Sequence, residues 1–321
     1  MLPWWHDCRV AKRDKTKDIP LRAQWLGAAL YELRDTACLT LSDVSDYLGK
    51  NAGTISRFES GEYPIQSPDL LKLLDLYRVT DRKQRGNLLH HCEEIGVRGW
   101  WDGYATYYDR TFIDLVWLEQ RAEAIRQFSL LNIPGLLQTR GHMETLFRNG
   151  PHRDDEELNQ RAIELRTSRQ LVFEKPNPPR LDVILHESVL HHRVGSTDIV
   201  REQLNHLADL PPHFRVRLRV LPLADWEPSK AGAVGPFSFF ELVAPYPDVA
   251  QVETLSGNLY VESPESEKFD AVYDQIWRVC LDEAASRDLI RETAEGLTDD
   301  GDRSGHPGKP ARRPAVAKKH A

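Results

Sequence analysis

The sequence predicts a mainly α-helical N-terminal domain, followed by an α+β domain. Three observations carry this reading. Residues 19–95 place apolar side chains at helical spacing, cut into short pieces by capping residues, Gly and Pro. Residues 181–261 hold short apolar or alternating runs of strand length, with helical stretches on both sides. Charge is unevenly divided: residues 1–80 carry 11 basic and 11 acidic side chains, 81–293 carry 25 and 34, and 294–321 carry 6 and 4.

At 321 residues the chain is long enough for a sizeable core and two or three domains. Its 40% hydrophobic and 28% charged residues are ordinary for a globular protein. No apolar stretch approaches the ~20 residues of a membrane span. The opening Met-Leu-Pro-Trp-Trp-His-Asp-Cys lacks the cationic and apolar regions of a signal peptide. A cytoplasmic protein away from membranes is therefore expected. Cys8, Cys38, Cys92 and Cys280 lie far apart without metal-ligand spacing, so reduced thiols and neither metal nor other cofactor are expected.

Taken in order, residues 1–18 form a flexible basic arm with Arg9, Lys12, Arg13, Lys15 and Lys17. It reads either as a frayed terminus or as an arm along a phosphate backbone or minor groove. From Ile19 to Asp35, Leu26, Leu30 and Leu33 share one helical stripe. Thr40 caps a short helix with Val44 and Leu48 inward, and Gly49 supplies the positive φ that ends it. Asn51 caps a second short helix, which buries Ile55 and Phe58 and leaves Thr54, Ser56 and Arg57 outward before Gly61 closes it. Two short helices meeting across a Gly-containing turn are the pattern of a helix-turn-helix. Ser67 then caps a helix opened by Pro68, with Leu70, Leu71, Leu74 and Tyr77 inward. The next runs from about Asp81 to Ile95, with Leu88, Leu89 and Cys92 inward. The helix-turn-helix domain spans 19–80, and 81–111 is a helical, aromatic-rich junction.

Trp100, Trp101, Tyr104 and Trp117 are candidates for one wall of a ligand or partner site, although large rings equally build a junction core. Residues 111–131 read as a helix through Leu115, Leu118, Ala122 and Ile125, ending at Asn132-Ile133-Pro134-Gly135. A charged helix covers 154–173, with Leu158, Ala162, Leu165 and Leu171 inward. Leu181–His186 reads as a buried strand and Ile199–Leu210 as a helix. Phe214–Leu223 alternates Arg215, Arg217 and Arg219 with Val216, Leu218 and Val220, a strand with one wet face. Phe237–Val243, Val249–Leu255 and Asn258–Val261 read as further strands, and Phe269–Arg291 as one closing helix. Residues 112–291 thus make one α+β domain that binds a ligand or a partner. Residues 292–321, rich in Pro, Gly and charge, read as a disordered tail.

Two resemblances follow from these residues. Leu26/Leu30/Leu33, Leu39-Thr40, Val44, Leu48-Gly49, Thr54-Ile55-Ser56-Arg57-Phe58-Glu59-x-Gly61 and Ser67-Pro68-x-Leu70 resemble the XRE family of lambda-repressor-like DNA-binding domains. The departures are Leu41, where the family often has a phosphate-gripping Gln, and Ala52-Gly53, where it often has a base-reading side chain. Ile133-Pro134-Gly135-Leu136-Leu137-Gln138-Thr139, Arg166-x-x-Arg169-Gln170, Gln203-Leu204 and Val220-Leu221-Pro222 look like the domain of unknown function that follows such a head in actinobacterial, antitoxin-like, WhiJ-like regulators. Gly141-His142-Met143 replaces that family's usual Tyr-Ala. The resemblance implies a transcriptional regulator, often encoded near a small acidic partner protein, and no catalysis.

Other chemistry finds little footing. His186-Glu187-Ser188-Val189-Leu190-His191-His192 lacks the i, i+4 histidine pair of a zinc protease. His90-His91-Cys92 reads as helix surface with Cys92 inward, and Glu119 and Glu123 as a solvated helix face laced with Arg121 and Arg126. There is no nucleophile elbow, phosphate loop or dinucleotide fingerprint. The expectation is a non-enzymatic, sequence-specific DNA-binding regulator that acts as a homodimer on double-stranded DNA. Thr40, Lys50, Asn51, Gly53, Thr54, Ser56 and Arg57 form its DNA-facing set, the second motif helix entering the major groove. With Leu41, Ala52 and a neutral head, the alternative is an interaction protein whose helix-turn-helix is a docking surface for a sequestered partner.

Overall fold

The computed structural model describes residues 19–150, 155–223, 234–255 and 257–298, so the arm at 1–18 and the tail from 299 onward lie outside the described residues. Five helices come first: α1 (Leu21–Thr36), α2 (Leu41–Leu48), α3 (Ala52–Glu59), α4 (Ser67–Leu76) and α5 (Arg82–Gly96). Leu26, Leu30, Val44, Ile55, Phe58, Leu70 and Leu74 meet in one buried cluster among them. The inward stripe of α4 is Leu70, Leu73 and Leu74, followed by Tyr77; Leu71, expected inward, is exposed. Ser67 starts α4 without capping it, and its hydroxyl faces the Cys92 thiol at 3.8 Å.

The second part combines α6 (Arg110–Arg121), β1 (Ala122–Ser129), α7 (Arg140–Arg148), α8 (Glu156–Gln170), β2 (Arg180–His186) and α9 (Thr197–Ala208). It continues with β3 (Val216–Leu221), β4 (Phe237–Leu242), β5 (Val249–Thr254), β6 (Gly257–Glu262), α10 (Glu267–Val279) and α11 (Glu283–Glu295). The strands form one six-stranded sheet in the order β3-β2-β1-β4-β5-β6. β1, β2 and β3 run parallel, and β4, β5 and β6 continue antiparallel. This is a helical head followed by an α+β domain.

Three expectations change here. The helix expected over 111–131 stops at Arg121, and Ala122–Ser129 is an interior strand with Ile125 between Leu181 and Phe240. Pairing on both edges outweighs the helical spacing of Ala122 and Ile125. The closing helix is two, parted at Cys280–Asp282, where the Asp282 carboxylate caps α11 by accepting from Ala285 N–H at 2.8 Å. α11 runs on to Glu295, so the first residues assigned to the tail are helical. Finally, the expected wet face of β3 is only partly covered: Arg219 lies half-buried over the Trp277 ring of α10, while Arg217, over the same ring, stays exposed. Leu171, expected inward, is exposed just beyond α8.

The sheet is therefore packed on both faces. Ile125, Leu181, Val183, Leu185, Val220 and Phe240 belong to the larger core, shared with α6, α8, α9 and α11. Phe128, Ile184, Leu221 and Phe237 pack with Tyr273 and Ile276 of α10 on the other side.

Helix α1 joins the two parts. Leu21 and Trp25 from its first turns lie in the larger core of the α+β domain. Trp25 packs on Trp117 (ring centroids 5.9 Å) and on Tyr246 (5.8 Å), and Tyr246 stacks on His91 of α5 at 4.5 Å. Leu21 N–H donates to the buried Asp114 carboxylate of α6 at 3.1 Å. His91, read from sequence as helix surface, is thus inside this junction, and burial pushes its imidazole down to about 4. The unfolded chain protonates this ring near 6.5 and the folded one only near 4, so its stabilising contribution is lost as pH falls through that window. His91→Phe keeps a ring on Tyr246 and removes the proton. Chemical denaturation from pH 7 to 4 will show a shallower loss of stability than in the wild type.

Candidate nucleic-acid interface

The reading unit is α2, its turn and α3. At the start of α2, Thr40 N–H donates to Asp43 Oδ2 at 2.8 Å, while Asp43 N–H donates to Thr40 Oγ1 at 3.2 Å. This reciprocal cap ties up two helix-end donors, and its hydrogen bonds hold the Asp43 carboxyl below the usual range. Gly49, with φ +66°, turns the chain, and Asn51 Oδ1 then accepts from Thr54 N–H at 2.8 Å and Thr54 Oγ1 at 3.0 Å. Ile55 and Phe58 are buried; Ala52, Gly53, Ser56 and Arg57 are exposed.

Not every expected side chain is free. Lys50 Nζ pairs with Asp69 at 3.0 Å, across from the start of α4. Arg57 Nε donates to Gly53 O at 3.2 Å, and its guanidinium sits 5.9 Å from the exposed Tyr63 ring, which rests against Phe58. The terminal guanidinium nitrogens of Arg57 are the reachable cations of α3. Thr40 and Asn51 act on their own helix ends, so Gly53, Thr54, Ser56 and Arg57 carry the outward face of this helix.

A clasp that the sequence reading did not single out holds α3 in place. Arg34 donates to both Glu59 carboxylate oxygens, at 2.6 and 3.0 Å, and also to Leu39 O at 2.8 Å. Next to it the α1 and α3 backbones touch. A Cβ on Gly61 would stand 2.7 Å from Ala23 O, and one on Gly27 would stand 2.5 Å from Glu59 O. Helix α3 is thus locked to α1 by a half-buried bidentate pair and by two positions with room for hydrogen only.

The aromatic candidates fall into two groups. Trp117, 2% exposed, belongs to the Trp25–Tyr246 junction. Trp101 is buried and packs on the half-exposed Trp100, which also meets Tyr104 edge-on. Among the described residues no group of three or more His, Cys, Asp or Glu is placed to hold a metal ion, and no helix is long and apolar enough to cross a membrane.

Comparison with known families agrees with this division. A helix-turn-helix domain family matches residues 25–88, from within α1 to the first half of α5. The domain of unknown function DUF5753 matches residues 112–292, more than half of the chain. The chain belongs to the DUF5753 family. No curated protein and no solved structure matches it.

Inside the DUF5753 domain, the Ile133–Thr139 stretch holds a one-turn segment at Gly135–Leu137 and is tied by side-chain amides. Gln138 Nε2 donates to Ile133 O at 2.7 Å, and Gln203 of α9 donates to Leu137 O and accepts from Thr139 N–H. From α8, Gln170 donates to Gln138 O at 2.8 Å and Arg166 donates to Gln138 Oε1 at 2.7 Å. Glu119, read as a solvated helix charge, is 4% exposed and is held by Arg169 at 2.6 and 2.8 Å. Its partner lies 50 residues on, which no local spacing reveals. Glu123 sits on β1, and Arg126 pairs across the sheet with Glu241, Asp270 and Asp274.

Glu59→Ala would strand the Arg34 guanidinium at the α1–α3 contact. The expected cost is about 3 kcal/mol in urea unfolding, with faster amide exchange in α3 than in the α+β domain.

Proposed function

We propose that this protein is a sequence-specific, DNA-binding transcriptional regulator without catalysis, working in the cytoplasm as a homodimer. The observation that carries the reading is the α2–turn–α3 unit. Two side-chain caps fix it, a half-buried ion pair locks it to α1, and α3 presents Gly53, Thr54, Ser56 and Arg57 outward. A helix presented this way docks its N-terminal half in the major groove while neighbouring donors grip phosphates. The helix-turn-helix family match over 25–88 supports the same assignment. In this reading the DUF5753 domain receives the signal, either a small ligand or a small partner protein encoded nearby, as in antitoxin-like pairs.

The pairing of Lys50 with Asp69 and the net neutrality of residues 1–80 favour a second reading. Here the same face docks a protein. Salt dependence separates the two, because phosphate contacts release counterions and protein docking through a neutral face does not.

Selection of bound sequences from random duplex DNA, followed by gel retardation with the full chain, tests the proposal. Arg57→Ala is expected to weaken operator binding by about 1–3 kcal/mol at matched salt. Unchanged affinity removes Arg57 from the interface. A flat response to salt, with no selected sequence, favours protein docking. Deleting residues 1–80 would be a poor control, since it also strips Leu21 and Trp25 from the core of the α+β domain.

A further inference from the structure

The DUF5753 domain contains a cavity of about 120 Å³ between the sheet, α6 and α8, floored by the Glu119–Arg169 pair. Its charge pattern is unusual for a packing defect. Arg166 lies at its wall with Phe147 beneath its guanidinium, 4.7 Å to the ring centroid. One terminal nitrogen donates to Gln138, but Nε is closed off from solvent and has no hydrogen-bond partner among the described residues. No described carboxylate lies within ion-pair distance of Arg166, whereas the adjacent Arg169 is fully paired. Burial together with Arg169 pulls the Arg166 guanidinium down to about 10, as for a cation short of its counter-charge. Gly135 is what leaves this wall uncovered: a Cβ there would already stand 3.4 Å from Arg166 Nε and 3.6 Å from the Arg169 tips, and a longer side chain would lie across both.

Acceptor oxygens face the arginines, beside the amides of Gln127 and Asn258. Gln251 is buried and spends its amide donor on Asn258 Oδ1 at 2.7 Å, leaving its own oxygen free. The hydroxyl of buried Ser238 has no partner among the described residues, and the Glu253 carboxylate lines the same space without pairing to either arginine. Phe112, Leu115, Ile125, Leu136 and Phe240 complete the lining with apolar surface. In size, a cavity of about 150 Å³ holds benzene, so this one suits a molecule of roughly five to six heavy atoms.

We propose that this cavity binds a small α-amino acid or equally compact zwitterion. The carboxylate takes the terminal guanidinium nitrogen of Arg166 that Gln138 leaves free, the ammonium takes Glu253, Gln251 Oε1 and Ser238, and an aliphatic side chain lies on Phe240 and Leu136. The proposal deepens the ligand-sensing reading of the DUF5753 domain and rests on it for its biological sense. Helix α6 gives such a ligand a neighbour of consequence. Phe112, Leu115 and Glu119 line the cavity, while Asp114 and Trp117 of the same helix hold α1 of the head.

The test is calorimetric titration of the full chain, without DNA, using glycine, alanine and β-alanine, with propionate and propylamine as single-charge controls. At least one amino acid is expected to bind saturably, at least ten-fold tighter than either control. Arg166→Gln should weaken it ten-fold or more. Because Arg166 also ties down Gln138, Glu253→Gln serves as the second variant: the side chain is exposed and unpaired, and the loss should again be ten-fold or more, with the weak propionate signal unchanged. Saturation by none of the five compounds overturns the proposal, as does affinity unaffected by Glu253→Gln, or propionate binding as tightly as alanine. Gel retardation on the same preparation is read separately, so failure to bind DNA overturns the regulator reading and leaves the site standing.

Discussion

The structure depends on helix α1 being buried in two cores at once. Leu26 and Leu30 pack among the helices of the head, whereas Leu21 and Trp25 reach into the core beneath the six-stranded sheet. The Arg34–Glu59 clasp and the backbone contacts at Gly27 and Gly61 then transmit the position of α1 to α3. The orientation of the outward face is thereby tied to the α+β domain through one rigid rod, since packed interiors have little slack to absorb a shift. Anything that displaces Trp117 or Asp114 acts on the same rod.

The α+β domain has its own dependence, on β1. That strand takes a parallel partner on one side and an antiparallel one on the other, so it stitches the two halves of the sheet. Leu115, Leu118, Ala122 and Ile125 fit a helical stripe across the α6–β1 boundary, with no Gly or Pro between them. What ends the helix is the opportunity to pair with 180–185 and 237–242. The break between α10 and α11 differs, because Asp282 is a legible cap within the run. The apolar spacing on either side masked it.

Charge shows the same split between near and far. Thr40 with Asp43 and Asn51 with Thr54 are pairs three residues apart, and both caps form where local rules put them. Glu119 and Glu123 also look like a local pair, yet a strand start separates them and Glu119 goes instead to Arg169. Arg166, Arg169, Gln170 and Gln203 stand out in the sequence only through family resemblance. That Arg166, Gln170 and Gln203 tie down the Ile133–Thr139 segment, while Arg169 holds Glu119, becomes visible once α8 and α9 are placed against it.

The helix-turn-helix was readable because its determinants are short-range. Caps, a left-handed glycine and an i, i+3 apolar pair act within a few residues, and their energies do not wait on the rest of the fold. The existence of most strands was readable too, from β-branched runs and alternation. Everything that depends on a partner far along the chain was settled by packing alone. That includes β1 as a strand, His91 and Trp117 as junction core, and the Trp277 ring set against the arginines of β3. It also includes the cavity, with one arginine paired and its neighbour left short of a counter-charge. Burial and ion pairing are properties of which surfaces meet, and periodicity in a single chain records only that a surface exists.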